Sequence, residues 1–319
     1  MRLNNAQEKM VIFLGIVFGF HYLCRLEKCE LNQKTIDMND KPMAEQEKPL
    51  YIVTGSTDSM GSVITRKLAE QGKAVLLASR DIQKAENYAA QLRSLTRNKD
   101  ISCLQLDLNS FDLVNDFVKR LRALNRPVAA LINNAGLLPR RSEISVDGFE
   151  HAVQVNYLST VLLSMQVYQL IEEGGHIILS TSVSRRFVSL PYEFPAVSHF
   201  TPWGAYAQSK LALTLFSIYM SSVMKTRRVS VNCVNPGLLK SSVIAMSRWM
   251  DRVPDYLSRN IPSPEAGVVP TFRALESKET GYLFSGADRQ VKTSTMLKNR
   301  EMFIRVCNDT MRILKEHMD

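Results

Sequence analysis

Tyr206 and Lys210 stand four residues apart in AYAQSKLAL, and upstream of them Thr181 and Ser182 close the apolar run GGHIILSTS. On a helix that spacing puts a phenol and an ammonium on one face, one turn apart, so the cation is expected to lower the phenol's pKa toward neutrality. A tyrosine tuned in this way passes a proton to or from an alcohol. Y-x-x-x-K is also common on ordinary helices, so the pair gains meaning only from its company.

Two further signals supply that company. The run Leu50, Tyr51, Ile52, Val53 leads directly into Thr54-Gly55-Ser56-Thr57-Asp58-Ser59-Met60-Gly61, followed by a helical pattern from Val63 to Glu70. A strand, a glycine-bearing turn and a helix form the arrangement in which backbone N–H groups and a helix N-terminus receive a pyrophosphate. Farther on, Asn133-Asn134-Ala135-Gly136 follows the run Val128 to Ile132 and reads as a strand ending in a polar turn near a cofactor.

In this order the motifs resemble those of the short-chain dehydrogenase/reductase family: T-G-x-x-x-G-x-G, N-N-A-G, a serine, then Y-x-x-x-K. The resemblance covers roughly Lys48 to Phe284 and implies a catalytic tetrad of Asn156 (in VQVNYLST), Ser182, Tyr206 and Lys210. It further implies cofactor contacts from Thr54, Gly55, Ser56, Ser59, Met60 and Gly61 in the first turn and from Asn134, Ala135 and Gly136 in the second. Asp107 and Leu108 would border the adenine. Tyr206 and Lys210 would meet the nicotinamide ribose, Pro236-Gly237 the nicotinamide, and Ser241, where threonine is more usual, its carboxamide. In the implied mechanism Tyr206 transfers the proton, Lys210 stabilises the phenolate, Ser182 holds the substrate oxygen, and Asn156 holds a water relay from Lys210 to solvent.

One position departs from the pattern. Ser59 occupies the place of the middle glycine, which normally adopts angles that cost a residue with a side chain about 1 kcal/mol or more. The serine hydroxyl is expected to cap the following helix or meet a phosphate, and dinucleotide affinity to be weakened rather than abolished.

Choice of cofactor follows from the end of the second strand, Ala74 to Ala78, which runs into Ser79-Arg80-Asp81. An enzyme that selects NAD usually places a carboxylate here to bind both ribose hydroxyls and repel a 2′-phosphate. Ser79 stands there instead, and the donor fork of Arg80 suits phosphate oxygens, so NADP(H) is the expected cofactor. The plainer alternative makes Arg80 a solvated residue before a helix capped by Asp81.

Between Ser182 and Tyr206 the chain carries Phe187, Tyr192, Phe194, Phe200 and Trp203, interrupted by Pro191, Pro195 and Pro202. Those prolines predict an irregular loop with aromatic contacts over the site. The long loop and Y-A-Q-S-K-L-A resemble the retinol-dehydrogenase-like branch and imply a small lipophilic carbonyl or alcohol as substrate. Val243 to Pro262, with Met246, Trp249, Met250 and Tyr256, falls where the family places a substrate lid, or packs on the body.

The elements that must position these residues are short apolar runs separated by helical patterns. Ile101 to Gln105, Val128 to Ile132, His176 to Ser180 and Val229 to Val234 read as strands; Phe111, Val114, Phe117, Val118 and Leu121 form a helical stripe. Alternation of this kind predicts an α/β fold, a single Rossmann-type doubly wound parallel sheet with helices on both faces. With 319 residues, 45% of them hydrophobic, the chain suffices for one large core. The expected organisation is a hydrophobic segment over 1–29, a polar linker over 30–47 and a catalytic domain over 48–319 with a helical tail near Met302 to Met318. That tail is expected to pack on the domain, to make a dimer contact or to lie on a membrane surface.

Met10 to Cys24 is an apolar run flanked by Lys9 and Arg25. At ~1.5 Å per residue it spans about 22 Å, short for a ~30 Å hydrocarbon core unless Tyr22 and the flanking cations snorkel. No A-x-A-like cleavage site follows, which favours an uncleaved membrane anchor over a signal peptide, with the domain facing the cytosol. Cys24 and Cys29 are candidates for lipidation, and Met38 and Met43 leave open a later start and a soluble cytoplasmic chain. The net charge of +9 is dispersed as pairs such as Arg140-Arg141 and Arg185-Arg186, without a nucleic-acid motif. Five cysteines without C-x-x-C spacing and scattered His151, His176 and His199 suggest neither a disulfide framework nor a metal site.

Two functions fit: an NADP(H)-dependent carbonyl reductase or alcohol dehydrogenase, or a catalytically silent dinucleotide-binding regulator or scaffold. The intact tetrad favours the first, and Ser59 alone encourages the second. A homodimer through paired long helices is expected from the family.

Overall fold

The computed structural model describes residues 47–196, 199–237 and 263–318. The expected anchor at Met10 to Cys24, the lid at Val243 to Pro262, and Ser241 lie outside the described residues.

The first half of the domain runs β1 (Leu50–Thr54), α1 (Ser59–Glu70), β2 (Ala74–Ser79), α2 (Ile82–Thr96), β3 (Ile101–Gln105), α3 (Phe111–Ala123) and β4 (Val128–Asn133). The second runs α4 (Ser159–Val167), β5 (Ile171–Ser180), α5 (Pro202–Val223), β6 (Ser230–Asn235), α6 (Val269–Glu276), β7 (Tyr282–Ser285), β8 (Arg289–Lys292) and α7 (Arg300–Lys315). The eight strands form one sheet in the order β3-β2-β1-β4-β5-β6-β7-β8, parallel except for β8. Strand order reverses between β1 and β4, and in open α/β sheets the carboxyl ends at such a switch point are where ligands bind. Thr54, Asn133, Ser180 and Asn235 end four neighbouring strands on that edge.

Strands buried on both faces need continuous apolar sequence, and β2 (AVLLAS) and β4 (VAALIN) are buried at every residue. On one face Val53, Val75, Leu77, Ile132, Ile178 and Val234 meet Ile64 and Leu68 of α1, Ala89 and Leu92 of α2 and Ala274 of α6. Each fully buried Leu, Ile or Val contributes about 1.5–3 kcal/mol. The stripe Phe111, Val114, Phe117, Val118 and Leu121 of α3 is buried, as the 3.6-residue period requires. The tail helix packs within the domain: the Tyr157 and Thr310 hydroxyls are hydrogen-bonded at 2.6 Å, and Asn115 Nδ2 donates to the His317 carbonyl at 3.0 Å.

Several boundaries differ from the sequence reading. Helix α1 begins at Ser59 rather than Val63, inside the glycine turn. Strand β5 begins at Ile171, five residues before the apolar run, and its exposed stretch Glu172–Gly174 gives no hydrophobic signal. Strands β7 and β8 were not marked by the alternation, because RQVK is a polar edge strand, and it turns the sheet's last pairing antiparallel. Among the described residues no helix is long and apolar enough to cross a membrane.

Candidate active site

The turn after β1 is fastened to the turn after β4. The Ala135 N–H donates to Thr54 Oγ1 at 3.0 Å, and Asn134 Nδ2 donates to the carbonyls of Thr54 and Gly55 at 3.1 and 3.3 Å. Gly55 has φ +61°, and a Cβ there would lie 3.0 Å from Ala135 Cα. Gly61 is still more constrained: a Cβ would stand 1.9 Å from the Gly55 carbonyl oxygen and 2.7 Å from Asn134 Nδ2. The first turn of α1 therefore packs directly on the backbone that precedes it, and Met60 packs against the hydrophobic core.

Ser59 adopts φ +45°, the left-handed region that glycine occupies without cost. Its hydroxyl does not cap the helix, because Ser59 is already the first helical residue and no side chain caps α1. Ser56 Oγ and Ser59 Oγ are both buried without a hydrogen-bond partner. Asp58, at the cap position, forms an ion pair with Lys84 instead. An uncapped helix start beside two orphaned hydroxyls and a turn too tight for a Cβ at Gly61 fits a dinucleotide pyrophosphate.

At the end of β2, Ser79 is buried and Arg80 exposed. Asp81 caps α2, accepting from the Lys84 N–H at 2.9 Å. The cap and the exposed guanidinium coexist, so one does not exclude the other. Asp107 accepts from the Asn109 N–H at 3.0 Å beyond β3, beside buried Leu108.

Helix α5 starts at Pro202 behind Thr201, whose hydroxyl accepts from the Gly204 N–H at 3.0 Å. It places Tyr206 and Lys210 one turn apart, with Lys210 Nζ 5.8 Å from the Tyr206 ring centroid. Lys210 is buried, and its Nζ donates to the Ser180 carbonyl at 2.9 Å. Asn156 lies in a π-helical turn, Gln154–Leu158, a widening that often marks functional positions. Its Oδ1 accepts from the Leu137 N–H at 2.8 Å, and its Nδ2 donates to the Leu137 carbonyl at 2.9 Å and Ser209 Oγ at 3.1 Å. Gly136 makes room for both groups, since a Cβ there would lie 3.1 Å from Lys210 Nζ and 3.3 Å from Asn156 Oδ1. Ser209, the Leu137 backbone and the Ser180 carbonyl had no signal in the sequence, because only the tertiary fold brings them to Asn156 and Lys210.

The electrostatics differ from the expectation for an isolated Tyr–Lys pair. Burial pushes the Tyr206 phenol above its ordinary value, and the hydrogen bond to Ser182 offsets part of the rise. Burial also brings the Lys210 ammonium down to about 8. The ammonium is directed at the Ser180 carbonyl, so the phenol is not drawn toward neutrality here. Ser182 Oγ also accepts from the Ser184 N–H at 3.2 Å. Gly237 follows Pro236 beyond the end of β6 with φ +85°, its N–H donating to Asn235 Oδ1 at 3.3 Å.

The segment between Ser182 and Tyr206 opens with a 3₁₀ helix, Val183–Phe187, and then lacks a regular element up to α5 among the described residues. Its aromatics divide: Trp203 lies 6.4 Å from Tyr206 by ring centroids, Phe194 is buried 5.8 Å from Tyr157, and Phe187 and Tyr192 are exposed.

Against known proteins, the model of the family described as short chain dehydrogenase matches residues 50–252. Human polyprenol dehydrogenase is 29% identical over 211 residues, 63% of this chain and 64% of that protein, so under two thirds of that relative's length is matched. Human retinol dehydrogenase 11 is 29% identical over 221 residues, 68% of this chain and 70% of the relative. Among solved structures, a short chain dehydrogenase from Shigella flexneri complexed with NADP has a TM-score of 0.60 at 21% identity, covering 74% of this chain and 96% of its own, a likeness of fold. The matched segment holds both fastened turns, the π-helical asparagine and the Tyr–Lys helix, and the chain belongs to the short-chain dehydrogenase family, in its retinol-dehydrogenase-like branch.

Proposed function

We propose that the protein is an NADP(H)-dependent oxidoreductase that interconverts a lipophilic carbonyl and its alcohol, with Tyr206 as proton donor and acceptor. The observation that carries this reading is the meeting of Ser182, Tyr206, Lys210 and Asn156 at the carboxyl edge of the sheet beside the fastened glycine turns. A bound nicotinamide supplies or accepts the hydride. In reduction, the Tyr206 phenol donates its proton to the substrate oxygen as the carbonyl carbon gains hydride; in oxidation, the phenolate takes the hydroxyl proton. The phenol's raised pKa keeps it protonated at neutral pH, the form that reduction requires. Ser182 orients the substrate oxygen, and the Lys210 charge stabilises the phenolate left after transfer. Asn156, held rigidly by Leu137 and Ser209, positions the relay that restores the proton.

Thr54 to Gly61 and Asn134 to Gly136 would hold the dinucleotide, Asp107 and Leu108 its adenine, and Pro236-Gly237 the nicotinamide. Exposed Arg80, with no hydrogen bond or ion pair from its guanidinium among the described residues, and Ser79 in place of a carboxylate favour a 2′-phosphate. NADP in the Shigella structure agrees with that choice. Polyprenol and retinol dehydrogenases among the relatives, and Trp203 beside Tyr206, support a lipophilic substrate. The same reading anchors the N-terminal segment in a membrane with the domain facing the cytosol.

Titration of the protein with NADPH and NADH, followed by nicotinamide fluorescence, tests the reading. NADPH is expected to bind about tenfold or more tightly than NADH, and Arg80→Ala to remove most of that preference. Binding of neither nucleotide by the folded protein would overturn the enzyme and favour a silent scaffold.

A further inference from the structure

The segment that leads from Ser182 to Tyr206 is held in place from outside itself. Past the opening 3₁₀ turn, where Arg185 Nη1 donates to the Ser182 carbonyl at 2.6 Å, its internal bonds up to Ala196 are single turns, Phe194 N–H to the Pro191 carbonyl at 3.2 Å and Ala196 N–H to the Glu193 carbonyl at 2.8 Å. Helix α5 adds one weak tie, Gln208 Nε2 to the Ser189 carbonyl at 3.4 Å. The strongest polar tie comes from the tail helix α7. Arg305 Nη1 donates to the Tyr192 carbonyl at 2.6 Å and Nη2 to the Pro191 carbonyl at 3.1 Å, while the guanidinium lies 4.5 Å from the Tyr192 ring centroid. A planar donor fork bridging two successive carbonyls and lying over the second residue's ring fixes both position and orientation of the backbone.

The same helix reaches the catalytic side by a second route. Thr310 is bonded to the hydroxyl of Tyr157, the neighbour of Asn156, and the Tyr157 ring packs on Phe194. Arg305 therefore grips the loop on one side of Phe194, and Tyr157 and Thr310 secure Phe194 itself. None of these contacts involves the dinucleotide turns at Gly55–Gly61 or Asn134–Gly136.

We infer that Arg305 is a positioning residue that latches the substrate loop against the tail helix and so sets capture of the carbonyl or alcohol, without acting on the cofactor. This rests on the proposed reduction of lipophilic carbonyls. The test uses the full chain with an aliphatic aldehyde and NADPH. Arg305→Met is expected to raise KM for the aldehyde about tenfold with kcat within about twofold and NADPH affinity unchanged. Arg305→Lys, a point charge that cannot bridge two carbonyls, falls between Met and the natural residue. Tyr192→Leu, at an exposed residue, keeps the fold and gives a smaller rise in KM. An unchanged KM, or a parallel loss of kcat and NADPH affinity, would overturn the latch. Hydrogen exchange of the amides from Val188 to Ala196 gives an answer independent of turnover: faster exchange in Arg305→Met supports the latch, and equal exchange sinks it. If the natural protein reduces no lipophilic aldehyde, the functional reading fails while the exchange experiment still decides the latch.

Discussion

The two halves of the site are built to different tolerances. Around Tyr206 and Lys210 the hydrogen bonds are redundant: Asn156 makes three, Lys210 is fixed to Ser180, and Thr181 Oγ1 is tied to Thr214 Oγ1 at 2.7 Å. At the start of α1, Ser59 sits in a left-handed conformation and two buried hydroxyls lack partners. A network with every member bonded resists displacement, whereas orphaned polar groups and a strained residue leave free energy to be recovered when something binds. On the proposed reading, geometry for proton transfer is set before substrate arrives and the pyrophosphate cradle is completed by its ligand.

If the tetrad half is preorganised, removing its proton donor should cost turnover without disturbing the other half. Tyr206→Phe is expected to lower kcat by about 10²-fold to 10⁴-fold while NADPH affinity stays within about twofold. Comparable kcat in that variant would remove Tyr206 from the chemistry. The next largest effect belongs to the cradle. In Gly61→Ala the new Cβ meets the Gly55 carbonyl at 1.9 Å, a backbone atom that cannot rotate away. Loss of about 2 kcal/mol or more of stability and a fall in dinucleotide affinity are expected, read by urea unfolding and titration. A neutral Gly61→Ala would show that the turn is looser than its contacts imply.

A third test separates the two halves by pH. The buried Lys210 ammonium has its pKa lowered from 10.5 to about 8, so its charge is present below that value and lost above it. Turnover is expected to fall as pH rises through about 8, before the raised Tyr206 phenol ionises. The stability sign is opposite. Between about 8 and 10.5 the unfolded chain binds the proton more tightly than the folded one, so stability rises with pH there. Lys210→Met should therefore be inactive yet more stable at pH 7, and its advantage should shrink across that window. No change in relative stability with pH would mean that the ammonium is hydrated rather than buried.

Much of the fold and of the candidate site is legible in the sequence because the family motifs sit at strand ends, and strand ends are marked by apolar runs that stop at Gly, Asn or Pro. Thr54, Asn133 and Asn235 illustrate this. What escaped has a physical reason in each case. Strand β8 is an exposed edge without apolar alternation, and the π-helical turn at Asn156 arises from tertiary packing with no local code. The Y-x-x-x-K spacing points the Tyr206 pKa the wrong way, because burial raises it and desolvation leaves no trace in a spacing. Ser59 was recognisable as a departure, but the motif could not say that its hydroxyl would lie buried and unpartnered rather than on the helix cap.

The smallest expected effect tests the comparison most directly. Ser59 has φ +45°, and its hydroxyl lies buried without a partner. Ser59→Gly removes both costs, about 1–2 kcal/mol for the left-handed backbone and about 1 kcal/mol or more for the orphaned hydroxyl. Against this stands the greater freedom of glycine in the unfolded chain, about 0.5–1 kcal/mol. A net gain of about 1–2 kcal/mol in urea unfolding is expected, with less for Ser59→Ala, which sheds the hydroxyl and retains the backbone strain. If the Cβ crowds the approach to the pyrophosphate, as the proposed reading has it, Ser59→Gly should bind NADPH about threefold more tightly. Weaker binding by both variants would give the opposite answer: the hydroxyl would be a phosphate ligand, and its lack of a partner would mark a cradle fitted as closely as the tetrad.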